Sequence, residues 1–255
     1  PNFAMDESVI SFLKGVQSKY PIGVRGRTTA NVLRSYGINN LEINGCPTFW
    51  SLGMDMEAIV EKANKNREKF KVDQLKILIG GDYVPQFTHP FGYLCQGDYD
   101  RELCEGLLEL GLVEKTSFGY LGENLTFKMN NWTQNLNASQ IYIPIEPNSD
   151  LFESISEYDL FVGSRVHGCI TALNSGVPAV NTNYDFRALE MCQYLNIPHI
   201  SQFPGFSITE GWLETLANCY EVSARVYDEG LNRFNAYCED IKTATLFKKK
   251  KSTFE

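Results

Sequence analysis

Long apolar runs are missing from this chain: no stretch approaches the roughly 18 residues that a membrane-spanning helix needs. The opening residues, PNFAMDESVI, lack the charged-then-apolar order of a secretory signal. Positive charge is in deficit, with 23 Lys and Arg against 31 Asp and Glu and a formal charge of −8, which argues against a nucleic-acid binder. Histidine is scarce, at three in 255 residues. No Cys–His grouping has the spacing of metal ligands, so no metal is expected. The seven cysteines include no CxxC pair, and several stand inside apolar patterns, as Cys169 does in GCITAL and Cys104 in RELCEGLLEL. Buried, reduced thiols are expected, and with them a reducing, cytoplasmic compartment. Sequons at Asn124, Asn131 and Asn137 would matter only in a secretory lumen; in an Asn-rich segment they read as chance.

What is present is an ordinary globular composition, 43% hydrophobic and 21% charged. Residues 7–18 read as a helix with Val9, Ile10, Leu13 and Val16 on one face. The strand YPIGV ends at Arg25, and the helix RTTANVLRSYG follows, with Thr28 or Thr29 as its cap and Gly37 as its stop. A strand NLEIN leads to the turn Gly45-Cys46-Pro47, and residues 55–70 form a charged helix. LKILIGG, at 75–81, reads as a buried strand, and 100–112 as a helix. Residues 115–139 lose the pattern and read as a loop region with at most one strand. Strands at 140–145, 159–163 and 177–182 then alternate with helices at 150–158, 164–176 and 186–195, and 212–237 is helical. Four lysines at 248–251 read as a solvated end. They favour an anionic membrane surface only weakly, by about 1 kcal/mol per Lys, so any membrane contact is peripheral.

Strands alternating with helices predict an α/β fold with a parallel sheet covered on both faces. Two strands precede residue 75, too few for an independent sheet. The expected division is 1–72 as a short N-terminal half, 73–205 as the C-terminal half, and 206–255 as C-terminal helices and a lysine-rich tail. An incomplete first half must be completed by an upstream domain, by a second subunit in a homo-oligomer, or by residues 206–247 folding back.

The most informative segment is FVGSRVHGCITALNSGVP, residues 161–178. Val166, Cys169, Ile170 and Leu173 recur at helical spacing as a buried face, and Ser164 is the natural N-cap. Arg165 and His167 then fall in the first turn, near the carboxyl end of a strand, where open α/β sheets bind ligands. Unpaired N–H groups at such a terminus suit a phosphate or carboxylate, and Arg165 adds a charged fork. The competing reading leaves Arg165 in a salt bridge and His167 as a capping residue.

The run VGSRVHGCITALNSGVPAV resembles the signature of the polysaccharide pyruvyl transferase family, G-x-R-x-H-x-x-x-x-A-x-x-x-G-x-P. Upstream, GVRGRTTANVLRSYGI resembles the family's V-R-x-x-x-T/S-x-x-x-L-x-x-x-G segment, and it leads to GCP where many members have G-D-P. The resemblance implies two Rossmann-like halves of the GT-B type, with the active site between them. It also implies transfer of the enolpyruvyl carbon of phosphoenolpyruvate to two sugar hydroxyls, giving a cyclic ketal and phosphate. By resemblance His167 and Arg165 carry the acid and anion roles, and Arg25 supplies a second guanidinium. Ser164, Val166, Gly168, Arg187 and Tyr184 would line the substrate. Arg187 stands where the family commonly has Lys, and an Arg can only bind charge there. A helix N-terminus disfavours a cationic imidazole and a bound trianion favours it, so His167 would be best protonated with substrate present.

The donor would thus be phosphoenolpyruvate, with no separate cofactor, and the acceptor a saccharide or lipid-linked glycan. An alternative is a GT-B-type glycosyltransferase using a nucleotide sugar, its diphosphate held by Arg165; another is a non-catalytic glycan-binding descendant. His89 and His199 read as structural, and Asp82 as a strand-end residue within reach of a ligand. Trp50, Tyr83, Tyr93 and Tyr184 can stack on a sugar or fill the core.

Overall fold

The structure, a computed structural model, describes residues 4–51, 53–72, 75–80, 116–122, 139–142, 149–163, 166–182, 186–202 and 209–241. The first part runs α1 (Glu7–Gln17), β1 (Ile22–Val24), α2 (Arg27–Ser35), β2 (Leu41–Ile43), α3 (Pro47–Ser51) and α4 (Met56–Val72). The second runs β3 (Leu75–Gly80), β4 (Thr116–Gly122), β5 (Ser139–Tyr142), α5 (Ser149–Ser156), β6 (Leu160–Gly163), α6 (Val166–Asn174), β7 (Ala179–Asn181), α7 (Phe186–Leu195) and α8 (Glu210–Asp240). Asp82, Tyr83, His89, Tyr93, Cys95, Cys104, Ser164, Arg165, Tyr184, the asparagines of the three sequons and the lysine tail lie outside the described residues, as does the helix expected at 100–112.

The chain is mixed α/β, with parallel sheets flanked by helices, as the alternating pattern predicts. β1 and β2 pair in parallel, Ile22 opposite Leu41 and Val24 opposite Ile43. The larger sheet has the order β5-β4-β3-β6-β7, every neighbouring pair parallel. From β3 the chain steps outward through β4 and β5, then crosses to the other side for β6 and β7. The switch point therefore lies between β3 and β6, whose last residues, Gly80 and Gly163, are register partners. Ligands of open parallel sheets bind outside the carboxyl ends at such a point.

Leu75, Ile77, Leu78, Leu160 and Phe161 are buried in the larger core, which suits strands covered on both faces. That core does not divide at residue 72. Cys46, Phe49, Trp50, Met54, Ile59 and Ala63 share it with the large sheet, because α4 packs along α8. The core of the two-stranded sheet is small: Val24, Ala30, Leu33 and Ile38. α1 buries no residue fully, and Val9, read as part of its inward face, is exposed.

Pro47, read as the end of a turn, starts a short helix over residues 47–51, where the sequence reading assigned no element. The pattern-poor region 115–139, which allowed one strand, contains β4. The cap of α2 differs from the sequence reading. Gly26 is the N-cap of α2, and neither Thr28 nor Thr29 caps it with its own side chain. A side chain from α7 takes that role, as described next. Residues 210–241 do fold back: Tyr237 accepts a hydrogen bond from the backbone N–H of Gly23 at 3.1 Å. That N–H lies on the edge of β1 away from β2, so α8 covers part of the open edge.

Candidate active site

His167 stands in the first turn of α6, immediately beyond β6 and beside the switch point. Its ring is exposed, while Val166 and Gly168 on either side are buried. Gly168 is tight for a packing reason: a Cβ there would lie 2.8 Å from the ring of Phe161. Val166, at 7% exposure, belongs to the core. Both positions pack inward, because the helical period buries Val166 with Cys169, so each would meet a substrate only through its backbone.

The ring nitrogen Nε2 of His167 meets Sγ of Cys46 at 3.7 Å. Cys46 follows Gly45, which holds φ 66°, a left-handed conformation that favours glycine, and a Cβ at Gly45 would strike Leu195. Burial opposes ionisation of the Cys46 thiol, but hydrogen bonds from His167 and from the side chain and backbone of Thr48 outweigh it. The thiol is lowered to about 7 from 9.0. Cys169, one turn into α6, is the contrast: burial pushes it up to about 12. The sequence reading put both thiols in one class. The signal that separates them was the GCP triplet.

Arg25 is exposed at the carboxyl end of β1. It helps to line a cavity of about 540 Å³ together with Asn44, Gly45, Pro47, Phe234 and Tyr237. Cys46 lies between two of those residues, so the cavity wall and the His167 contact share one short segment. Thus the carboxyl ends of both sheets converge on residues 44–47. The Asn44 backbone N–H donates to Val24 O at 2.9 Å, and Trp50 Nε1 donates to Asn44 O at 2.8 Å, fixing that segment from both sides.

Glu190 of α7, 8% exposed, reaches across to α2. Thr29 donates to it twice, from its backbone N–H at 2.9 Å and from its hydroxyl at 3.0 Å. The carboxylate caps the α2 N-terminus in place of a local side chain and complements its dipole. Gly26 is required there because any side chain would collide with Glu190. A cap donated from a distant helix leaves no local sequence signature. Arg187, on the same helix, is exposed.

The remaining candidates are structural. Trp50 is 4% exposed and packs with Phe49, Tyr227 and Phe234, the core role of its two readings. His199 is buried; its Nδ1 lies 3.2 Å from Ile197 O, and the residue bridges to Asn181, the last residue of β7. Among the described residues no group of three or more His, Cys, Asp or Glu could hold a metal ion.

No curated protein matches the chain. Among solved structures, alpha,alpha-trehalose 6-phosphate synthase from Burkholderia multivorans is similar at a TM-score of 0.42 and 11% identity. The alignment covers 89% of this chain and 58% of that one, so the chain spans little more than half that protein's length. The sequence profile of the polysaccharide pyruvyl transferase family matches residues 9–186, from α1 through β7 to the first residue of α7 and across both sheets. On that match the chain belongs to the polysaccharide pyruvyl transferase family.

Proposed function

We propose that this transferase moves the enolpyruvyl carbon of phosphoenolpyruvate onto two hydroxyls of a saccharide or lipid-linked glycan, forming a ketal and releasing phosphate. The observation that carries the reading is the position of His167. An exposed imidazole in the first turn after β6, at the switch point and in contact with the end of the other sheet, suits a general acid. The chemistry asks for a proton delivered to a methylene carbon, cations for a phosphate and a carboxylate, and a sugar hydroxyl held over C2. His167 would supply the first. Arg25, and Arg165 by resemblance, would supply the second, with Ser164 and the α6 N-terminus. The cavity beside Arg25, walled by Phe234 and Tyr237, has the aromatic lining that suits the flat face of a sugar ring. Arg187 and Tyr184 remain candidates for the rim.

In this reading no metal or organic cofactor takes part, because the donor carries its own leaving group. The protein would act in the cytoplasm or at a membrane surface. Among the described residues no helix is long and apolar enough to cross a membrane.

The test is phosphate release from phosphoenolpyruvate with a panel of saccharide acceptors, run beside nucleotide sugars. Wild type is expected to release phosphate only when an acceptor is present. His167→Asn should lower kcat by about 10²- to 10⁴-fold with the fold retained. Arg25→Lys should raise KM for phosphoenolpyruvate despite its charge, because the planar fork is lost. Turnover of a nucleotide sugar but not of phosphoenolpyruvate would overturn the assignment.

A further inference from the structure

Cys46 and His167 stand 121 positions apart and meet at the junction of the two sheets. Two features separate the pair from an incidental contact. The sulfur is nearly buried, at 5% residue exposure, and its segment is fixed by Gly45 on one side and by the start of α3 at Pro47 on the other. Three groups converge on it: the His167 ring, the Thr48 side chain and the Thr48 backbone N–H. A neutral thiol is a weak acceptor, whereas a thiolate is satisfied by several donors. His167, from α6, is the ionisable partner in this group; Thr48, from α3, does not ionise.

The geometry of the ring completes the argument. His167 is exposed, yet Nε2 is the nitrogen turned to the buried sulfur. Nδ1 is then the nitrogen left for a ligand, and among the described residues Cys46 is the ring's hydrogen-bond partner. In a working general acid one ring nitrogen is held by an anionic partner, which fixes the tautomer and the ring plane, while the other handles the substrate proton. We propose that Cys46 is the positioning residue of His167, its thiolate holding the Nε2 proton so that Nδ1 faces the substrate. The buried sulfur acts through the imidazole and does not touch the reacting carbon.

This rests on the reaction proposed above. There, the Nδ1–H bond breaks as a C–H bond forms at the methylene carbon, and the alkene pair supplies the electrons. C2 becomes cationic and is captured by the first sugar hydroxyl, whose proton returns to Nδ1. The second hydroxyl then replaces phosphate, which leaves with that hydroxyl's proton. Throughout, the Nε2 proton stays on the imidazole against the thiolate.

Two measurements on the full chain separate the pairing from the reaction. The first needs no substrate: the ultraviolet thiolate absorbance of wild type minus Cys46→Ser, titrated with pH, follows Cys46 alone. It should titrate near 7 and move up toward the ordinary 9.0 when the same difference is taken in a His167→Gln background. A Cys46 titration that is the same with and without His167 overturns the pairing. The second is kinetic. Cys46→Ala should lower kcat by about 10- to 100-fold, less than loss of the acid itself, with KM for phosphoenolpyruvate little changed. Cys46→Asp should recover most of kcat and remove the thiol's contribution to the pH profile near 7. Wild-type kcat and pH profile in Cys46→Ala overturn the positioning role; circular dichroism melts of each variant show that the fold is retained. Failure of wild type to release phosphate with any acceptor sinks the reaction, while the titration still decides the pairing.

Discussion

The five-stranded sheet and its helices are held by a continuous apolar core that runs from Leu75 and Phe161 through Cys169 and Leu213 to Phe234. The two-stranded sheet has four buried apolar side chains of its own, and the helix in front of it has none. What fixes the small sheet is a set of directed polar contacts from the large one. Glu190 caps α2, Tyr194 donates to Ile43 O, Tyr237 accepts from Gly23, and His167 meets Cys46. Apolar burial is strong and indifferent to angle, whereas hydrogen bonds are individually modest, about 1 kcal/mol net, and fix distance and direction. A site assembled from the ends of two sheets needs the second kind of hold. The polar contacts lie where the two sheets meet, and there the large core reaches residues 46–50 but not the small sheet's own core of Val24, Ala30, Leu33 and Ile38.

The comparison breaks most clearly in the large core. Phe161 is fully buried in β6 and packs its ring on Gly168, so Phe161→Ala should cost about 3–5 kcal/mol through lost contacts and a cavity. Denaturant melts should show this as a lowered midpoint for the whole molecule. A loss confined to the small sheet would mean that the two cores are not distributed as described.

Glu190→Ala tests the opposite side. It removes the carboxylate from Thr29 N–H and hydroxyl and should cost about 0.5–2 kcal/mol, the range of an N-cap. Hydrogen exchange should speed up over residues 22–43 and leave β3, β6 and β7 unchanged, because nothing in the large core is touched. Glu190→Gln keeps one acceptor oxygen and should lose less. Uniform acceleration across both sheets would show that Glu190 supports the large core as much as the cap.

The large sheet was the legible part of the sequence. LKILIGG is a short apolar run ended by glycine, and VHGCITALN repeats apolar residues at helical spacing; both patterns are local and both elements form where expected. The strand TSFGYLG was not singled out, because two glycines, a Thr and a Ser in seven positions dilute the apolar signal. His167 was legible from its place after a strand and from the family signature. Cys46 was read as part of a turn and as a departure from G-D-P, since one thiol in a turn says nothing more until folding sets it against an imidazole 121 positions away. Glu190 was invisible for the same reason: a cap supplied by another helix has no fixed offset. Topology supplied what periodicity could not, the switch point that puts Gly80 beside Gly163.

The last contrast is between two thiols, one in each kind of environment, and it is visible only as a dependence on pH. Burial and hydrogen bonding leave Cys46 net lowered, to about 7 from 9.0, with the bonds from His167 and Thr48 prevailing. A group whose folded pKa is depressed stabilises the fold above its unfolded value and loses that contribution as pH falls through its folded value. Cys46 therefore adds stability as pH rises from about 7 to 9, and the gain is complete above that range. Cys169 runs the other way. Burial raises it to about 12, so its contribution is intact below 9.0 and is lost as pH rises above it. Thermal melts of wild type, Cys46→Ser and Cys169→Ala across this range separate the two. The difference between wild type and Cys46→Ser should grow in favour of wild type from pH 7 to 9, and the difference for Cys169→Ala should change only at higher pH, against wild type. A Cys46 difference that stays flat from pH 7 to 9 would place that thiol with Cys169, as one more core residue, and the seam would lose its charged contact.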